Sequence, residues 1–292
     1  MDLRPLLRRA EDLGTVHRLV GETHFIYQPF IFADNLEVGI GYESICDRRG
    51  GGMVYWPNAP LEKYPMLGRF LLQDSTKRAE FSAANARLRR INDHYVDQVC
   101  ALAGDIRALS IADIGCFAGY FPVSFAARGA RESVGYDIDD RGGCFAILNQ
   151  LLGTNARFIH AGYDVKTGEI AKSKEYDIVM CHDLVQHMVE PLRFIRSLSR
   201  MAKQHLFLKC PCWLDSTGDY YVTMGQPYGI SRDLEFPWCF DHDNLPSWAL
   251  LEKCLRLCGF TRITPIEQYS FPLPAASAAR QFVGFCVLAS RD

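Results

Sequence analysis

A glycine-rich run flanked by carboxylates lies near the middle of the chain. It reads Asp-Ile-Gly-Cys-Phe-Ala-Gly-Tyr-Phe from Asp113 to Phe121, directly after an apolar segment. Glycines let a backbone turn sharply and approach a ligand closely, and a helix that starts after such a turn offers unpaired N–H donors. Asp137 ends the next apolar segment, 24 residues after Asp113. In nucleoside-binding folds an acidic residue that binds the ribose hydroxyls follows the glycine loop by ~20 residues, which is close to this spacing. The spacing predicts a nucleoside-binding loop between two strands.

The charge of this loop distinguishes two nucleoside cofactors. A dinucleotide pyrophosphate is anionic, and its usual loop is Gly-x-Gly-x-x-Gly without a preceding carboxylate. Here Asp113 precedes Gly115, and the next glycine is Gly119. A carboxylate repels pyrophosphate and attracts the cationic amino group of a methionine moiety. The residues therefore favour S-adenosylmethionine (SAM) over a nicotinamide dinucleotide.

The expected cofactor ligands follow successive predicted strands. Phe117 stands where the common SAM-binding loop has glycine, so this loop departs from the usual glycine pattern at that position. After the third strand, Asp164 could bond the adenine amino group, and a simple turn is the alternative for this residue. The expected ligands are Asp113, Gly115, Cys116, Phe117, Gly119, Phe121, Asp137, Ile138, Asp164, His182 and Asp183.

Polar residues that could take part in a reaction follow the fourth predicted strand. Ligands of doubly wound sheets bind beyond the carboxyl ends of strands, where His182, Asp183 and His187 would lie. Methyl transfer needs a positioned nucleophile and, for a hydroxyl acceptor, a group that removes its proton. Histidine suits that role. We predict His187 as the first candidate base and His182 as the second, with packing or SAM positioning as the alternative for each.

Strand and helix patterns alternate from about residue 109 to 210, which is typical of βαβ units and a parallel sheet. A helix ended by Gly259 and a late hairpin follow. We predict helices over 74–104 and 246–258 and strands over 109–114, 133–138, 156–160, 176–181, 205–210, 261–267 and 281–289.

Two segments stand apart from this pattern. Residues 1–73 predict an N-terminal extension, a helix over 1–20 followed by a β-rich part, and we expect it to act as a substrate lid. Residues 74–292 are expected to form the SAM-binding domain, with an irregular aromatic insertion at about 211–247. The polar run Asp241-His-Asp-Asn244 in this insertion suits a planar metabolite or a sugar.

Composition narrows the class of protein. The chain has 292 residues, a net charge of −2 and a pI of about 6.4, which disfavours a nucleic-acid partner. Its 11 cysteines lack framework or Cys-x-x-Cys spacing, so no metal site is expected, and Cys254 and Cys258 are predicted to be buried thiols. Without a signal peptide or a long apolar run, we expect a cytoplasmic protein that uses no membrane. The oligomeric state stays open, a homodimer among the options.

These residues resemble class I SAM-dependent methyltransferases over about residues 75–290, and in particular the branch that contains the tRNA wobble-uridine carboxymethyltransferases. The resemblance implies a Rossmann-like, seven-stranded, mostly parallel α/β sheet. Members of the tRNA branch bind a carboxylated SAM and have Tyr directly before the histidine of the fourth-strand loop, where this chain has Gln186. That departure favours ordinary SAM and a smaller acceptor. The motifs that carry the resemblance are Asp113–Phe121, Gly135–Ile138, Tyr176–Val179, His187–Leu192, Leu245–Trp248 and Gly259–Phe260.

We therefore expect methyl transfer to a small-molecule or glycan acceptor, at oxygen, as in natural product or glycan modification. Two aromatic regions, residues 25–56 and 213–240, would enclose the acceptor, although packing alone would also explain them. The alternatives are a tRNA- or RNA-modifying methyl- or carboxymethyltransferase and a SAM-binding protein without transferase activity. An NAD-linked oxidoreductase ranks last.

Overall fold

The structure is a computed structural model that describes most of the chain as two compact units. One unit contains residues 1–100 and 116–160, and the other contains residues 101–115 and 161–292. The aromatic residues Trp56, Tyr228, Trp238 and Phe240, and the polar residue Asp241, lie outside the described residues. Those described are 1–6, 10–23, 25, 28–40, 52–55, 62–63, 75–164, 166–188, 190–215, 217–227, 242–270 and 280–291.

Helices and strands alternate through the central part of the chain. The helices are α1 (Ala10–Glu22), α2 (Ser75–Ala103), α3 (Tyr120–Ala127), α4 (Gly142–Leu152), α5 (Pro191–Met201) and α6 (Trp248–Leu257). The strands are β1 (Phe30–Ala33), β2 (Leu36–Ile40), β3 (Gly52–Tyr55), β4 (Ser110–Ile114), β5 (Glu132–Asp137), β6 (Arg157–His160), β7 (Tyr163–Asp164), β8 (Glu169–Ile170), β9 (Tyr176–His182), β10 (Ala202–Asp215), β11 (Val222–Pro227), β12 (His242–Pro246), β13 (Arg262–Ser270) and β14 (Arg280–Ser290).

The main sheet has seven strands in the order β13-β14-β10-β9-β4-β5-β6. Strand β9 pairs in parallel with β4 and β10, and β5 pairs in parallel with β6, whereas β14 is antiparallel to both β10 and β13. Every residue of β4 is buried, as the apolar run of a central parallel strand requires. The predicted α/β class, the mostly parallel sheet and the late hairpin are confirmed.

Local signals set the bounds of the helices that cover the strands. In the first unit α3 packs on β5 and α4 on β6, and in the second α5 packs on β9 and α6 on β10. Helix α5 starts with Pro191, whose missing N–H is not needed at that position. Before α6, the Ser247 hydroxyl accepts the Leu250 N–H (3.3 Å), and Gly259 follows the helix with a φ of +89°. The predicted helix over 246–258 is confirmed with slightly tighter bounds.

The N-terminal residues form a short helix and a small sheet of their own. The predicted helix over 1–20 is a 3₁₀ turn at Arg4–Leu6 and then α1, and strands β1, β2 and β3 pair antiparallel. Helix α2 matches the predicted helix over 74–104. The role of residues 1–73 as a lid stays a prediction. No helix among the described ranges is long and apolar enough to cross a membrane.

The prediction of an irregular segment over 211–247 is wrong for much of its described part. Strand β10 continues through Pro211 to Asp215 because β14 stays paired with it as far as Arg280. Lys209 is the last residue of β10 that pairs with β9, so at Pro211 the β9 side of β10 is an edge among the described strands. A proline is tolerated there because an edge position needs no N–H for the ladder. Strands β11 and β12 form an antiparallel pair in the same region.

Candidate active site

The half of the candidate residues that lies in the first unit begins with the loop that joins Cys116 to helix α3. The Phe117 N–H donates to the Asp137 carboxylate (2.9 Å), and the Cys116 N–H donates to the Tyr136 carbonyl (3.0 Å). Phe117 has a φ of +45°, the left-handed region that a glycine enters freely and other residues enter at a cost of ~1–2 kcal/mol. The loop therefore keeps the left-handed turn although phenylalanine replaces the usual glycine.

Asp137 is the buried carboxylate of this half. Its side chain also accepts the Asp139 N–H (3.0 Å), so two backbone donors hold it at the end of β5. Burial raises the pKa of Asp137, against the opposing effect of those two hydrogen bonds and of Arg141. A carboxylate has about four lone-pair sites, so it can still accept two ligand hydroxyls. Ile138, the next residue, is 38% exposed and offers an apolar surface beside these acceptors.

His160 is a residue of this half that sequence reasoning missed. It ends β6, its Nε2 lies 2.6 Å from the Ile138 carbonyl oxygen, and its ring stacks on Phe158 at 6.5 Å between centroids. It therefore holds the backbone of Ile138 at the end of β5. Its position at the carboxyl end of the third predicted strand could have identified it as a candidate, because ligands bind at that edge of such sheets.

The N-terminus of α3 is already capped from a distant part of the chain. Gln28, which is 6% exposed, accepts the Tyr120 N–H through its side-chain oxygen (2.8 Å). Pro122 has no N–H, and the Gly119 N–H bonds the Cys116 carbonyl (2.9 Å). Pyrophosphate binding at such a loop uses free N–H groups of the helix N-terminus, and this helix start has few to offer. The arrangement disfavours a dinucleotide cofactor.

Two of the predicted cofactor ligands in this half have side chains inside the core. Cys116 and Phe121 are 0% and 1% exposed. A ligand would reach their backbone groups and not their side chains. Their contribution is to pack the loop and α3 in place.

Gly119 is required by space as well as by conformation. Its φ is +90°, and an ideal Cβ there would lie 2.6 Å from Cε2 of the buried Phe145 ring. At Gly153, which ends α4 with a φ of +63°, an added Cβ would meet nothing within 4 Å.

We expect Gly119→Ala to destabilise the protein by about 2–4 kcal/mol, the sum of left-handed strain and a clash in a packed core. Gly153→Ala is the matched control, because it carries the strain alone and should cost about 1 kcal/mol. Urea unfolding of both variants measures the difference. Equal losses of stability would show that the Phe145 ring moves aside at little cost.

The half of the candidate residues that lies in the second unit begins at the end of β4. Asp113 is 2% exposed and lies opposite Met180 of β9 in the sheet. Gly115 has a φ of +79°, and a Cβ there would lie 2.9 Å from Cδ2 of Leu184. The loop after β9 therefore approaches the backbone after Asp113 closely enough to require glycine.

Asp183 and Lys209 form an ion pair at the carboxyl end of β9. Asp183 has a φ of +51°, and its N–H donates to the Lys209 carbonyl (3.0 Å) while its carboxylate pairs with the Lys209 ammonium. Burial tends to raise the pKa of Asp183, but the charge and the hydrogen bond of Lys209 outweigh it and lower the pKa. Burial and the positive charge of Lys209 lower the pKa of His182 to about 3, so this imidazole is neutral at physiological pH. His182 is consequently a weak base.

His187, the other candidate base, lies in a 3₁₀ turn over Val185–His187. Gln186 is 6% exposed, its Nε2 donates to the Asp183 carbonyl (2.9 Å), and it lies 3.4 Å from His187 Nε2. The Gln186 Oε1 is buried and has no hydrogen-bond partner within the described ranges. The sequence identifies Gln186 only as the residue that stands in place of Tyr, and the structure adds a buried acceptor next to the candidate base.

Asn244 holds the same loop and is not a surface polar residue of the insertion. It is 6% exposed, and its Nδ2 donates to the Met188 carbonyl directly after the turn of His187. The expectation that Asn244 faces a metabolite is wrong, since its amide is buried against a backbone carbonyl. Strand β12 instead positions the loop that carries His187.

The remaining predictions concern Asp164 as an adenine ligand and the two cysteines near the end of α6. The Asp164 carboxylate accepts the N–H groups of Lys166 (2.8 Å) and Thr167 (3.4 Å), which lower its pKa and match the simple-turn alternative. Cys254 and Cys258 are partly exposed and not buried as predicted, because Leu251 and Leu255 occupy the buried face of α6. No three metal-binding side chains cluster within the described residues.

Comparisons with known proteins give similarity over part of the chain. No protein-family profile matches it. The ubiquinone biosynthesis O-methyltransferase of Nitrosomonas europaea is 28% identical over 116 residues, which cover 40% of this chain and 48% of that protein. The enzyme of the same name from Serratia proteamaculans is 28% identical over 158 residues, or 51% and 64% of the two chains. The chain spans about half the length of most curated relatives it matches.

Similar solved structures include the N-terminal domain of EvdMO1 with S-adenosylhomocysteine (SAH) and D-fucose. It is 18% identical with a TM-score of 0.48, covering 68% of this chain and 82% of that one. The order of the seven strands, with the antiparallel last strand inserted next to the fifth, decides the fold. The chain has the class I methyltransferase fold.

Within this methyltransferase fold, the polar residues chosen from the sequence follow the carboxyl ends of their strands. Asp137 ends β5, His182 ends β9, and Asp183 and His187 come after β9. The loops that carry these residues are held by Gln28, Lys209 and Asn244, which bond Tyr120, Asp183 and Met188. No sequence signal gave these three roles, because the partners are 26 to 92 residues apart.

Proposed function

We propose that this chain is a SAM-dependent O-methyltransferase that acts on a small hydroxylated molecule. The observation that carries the proposal is the buried Asp137 carboxylate, which the Phe117 N–H ties to the glycine loop. The capped start of α3 supports SAM over a dinucleotide. The names of the curated relatives support oxygen as the atom that receives the methyl group.

The residues present fit the parts of SAM. Asp137 would accept the ribose hydroxyls, Ile138 would pack on the adenine, and Asp113 would attract the methionine ammonium group. Gly115 and Gly119 let the loop backbone pack against Leu184 and Phe145, where a Cβ would clash, and so fix the course of the loop beside these groups. When bound, SAM supplies a methyl group already activated by the sulfonium charge.

On the acceptor side, His187 would take the proton from the attacking hydroxyl at an imidazole nitrogen. Neutral His182, with its lowered pKa, would shape the site and leave proton removal to His187. The free Gln186 Oε1 could accept a hydrogen bond from a second hydroxyl of the acceptor. A molecule with neighbouring hydroxyls, such as a catechol, fits this pair of groups best.

The test is transfer of label from methyl-labelled SAM. Purified protein is incubated with a catechol, a matched monophenol, a sugar, tRNA and a metabolite extract, and SAH and labelled products are quantified. Transfer to the catechol above the monophenol supports the proposal, and transfer to tRNA would replace it with RNA modification. Calorimetry with SAM, SAH and NADH gives the cofactor directly, and NADH binding without SAM binding would refute the central assignment.

A further inference from the structure

A cavity of about 490 Å³ lies beside the C-terminal halves of α5 and α6, within the second unit. Its lining combines arginines with two cysteines and an apolar residue, Leu257, that is 77% exposed. None of these residues belongs to the proposed cofactor or acceptor sites. The cavity has the size of a small-molecule site and a positive charge.

Two of the arginines are available to an anion. Arg196 and Arg200 lie one turn apart on α5, and within the described ranges neither guanidinium makes a hydrogen bond or an ion pair. Adjacent guanidinium groups that bind no carboxylate of the protein attract external carboxylates or phosphates. The cavity therefore selects an anionic ligand.

The third arginine neutralises the helix ends that border the cavity. Arg291 donates to the carbonyls of Ser199 (2.7 Å) and Cys258 (3.1 Å) near the ends of α5 and α6. The end of a helix carries a partial negative charge that would disfavour a thiolate there. Because Arg291 binds those carbonyls, a negative charge on Cys258 is tolerated.

Cys258 differs from the other described cysteines. The neighbouring Cys254 thiol lowers the pKa of Cys258, with help from Ser199 and from the positive charges of Arg291 and Arg196 and against burial. The Cys254 pKa is raised by the same neighbour and by burial, and the Cys254 thiol donates to the Leu192 carbonyl (4.0 Å). Cys100 is also partly exposed, but burial raises its pKa. The other six described cysteines are buried.

We propose that Cys258 is a thiol–disulfide exchange site and that Arg196 and Arg200 bind the carboxylates of its partner, an anionic low-molecular-weight disulfide of the glutathione disulfide type. The Cys258 thiolate attacks one sulfur of the disulfide, a new S–S bond forms, and the old S–S bond breaks. The other half leaves as a thiolate and takes a proton from water. Cys254 stays protonated and is a poor nucleophile, so the mixed disulfide persists.

The test is site-resolved mass spectrometry of the full chain with two disulfides of opposite charge. Anionic glutathione disulfide should modify Cys258 about tenfold faster than Cys100, and Cys258→Ser should abolish that adduct. Arg196→Gln combined with Arg200→Gln should slow glutathione disulfide about tenfold and leave the rate with cationic cystamine unchanged or higher. The Cys258 rate should level off above about pH 7, whereas the Cys100 rate keeps rising.

Neutral iodoacetamide separates thiol reactivity from anion binding. Equal glutathione disulfide rates at Cys258 and Cys100 would overturn the proposal. The proposal would also be overturned if the double arginine variant slowed cystamine as much as glutathione disulfide. Alkylation of Cys258 by iodoacetamide without any glutathionyl adduct would overturn it as well. None of these measurements needs a methyl acceptor, so their outcome is independent of the proposed methyltransferase activity.

Discussion

Replacing Asp137 with alanine should lower the affinity for SAM by about 100-fold or more. If Asp137 binds the ribose as proposed, the variant loses two hydrogen bonds between a buried carboxylate and the ribose hydroxyls, each worth ~1.5–3 kcal/mol because the acceptor is charged. It also leaves the Phe117 N–H without its acceptor, so the loop loses its tie to β5. Calorimetric titration with SAM and SAH measures the change.

Glu132→Gln is the matched control for Asp137→Ala. Glu132 begins the same strand, at its opposite end, and pairs with Arg157 near the surface. This control should bind SAM like the wild type. A folded Asp137→Ala protein, verified by its unfolding midpoint, that also binds SAM normally would refute the ribose assignment.

Acidification should weaken SAM binding through the same carboxylate. Because burial raises the pKa of Asp137, the free protein takes up a proton at a higher pH than an ordinary aspartate does. Ribose hydroxyls bond the ionised form, so affinity should fall by up to tenfold per pH unit below that raised pKa. The effect of Asp137 on the free energy of unfolding has the opposite pH dependence. Its stabilising contribution is complete below the ordinary pKa of 3.8 and is lost as pH rises through the raised pKa of the folded protein.

His187→Ala should reduce turnover by ~10²–10⁴-fold, the usual range for loss of a general base. SAM affinity should stay within about twofold, because His187 is placed on the acceptor side. Label transfer to the best catechol found in the acceptor panel measures turnover, and calorimetry measures SAM binding.

His182→Gln is the comparison for His187→Ala. With a pKa of about 3, His182 is too weak a base to carry the reaction, so its loss should reduce turnover less than loss of His187. The reverse order would move the base to His182. A turnover unchanged by His187→Ala would show that the hydroxyl loses its proton to solvent.

The parts of the fold that were predictable are those written in local sequence. Glycines, a terminal aspartate and apolar runs predict the loop at Gly115 and Gly119, its partner Asp137 and the strands beside them, since each signal acts over a few residues. The supports of the site were not predictable. Gln28 bonds Tyr120 across 92 residues and Asn244 bonds Met188 across 56, and no local pattern specifies such pairs.

Pro211 and Cys258 show why two local interpretations failed. A proline usually ends a central strand, but Pro211 follows the last pairing with β9, and only the tertiary neighbour β14 reveals that the strand continues. The prediction of a buried thiol at Cys258 failed because helix α6 ends there, and Arg291 comes from a distant part of the sequence to bond the Cys258 carbonyl.

The continuity of β10 has a consequence for the divergence of acceptor preference. One uninterrupted strand carries Lys209, the partner of Asp183, and four residues later Trp213, which bridges to Ser247 and bonds Thr223. Strands β11 and β12 are thus anchored to the same strand that carries Lys209. A change of register at Trp213 would therefore also move the partner of Asp183. Substitutions at the two ends of β10 would be coupled, so acceptor preference would diverge through sets of changes along this strand.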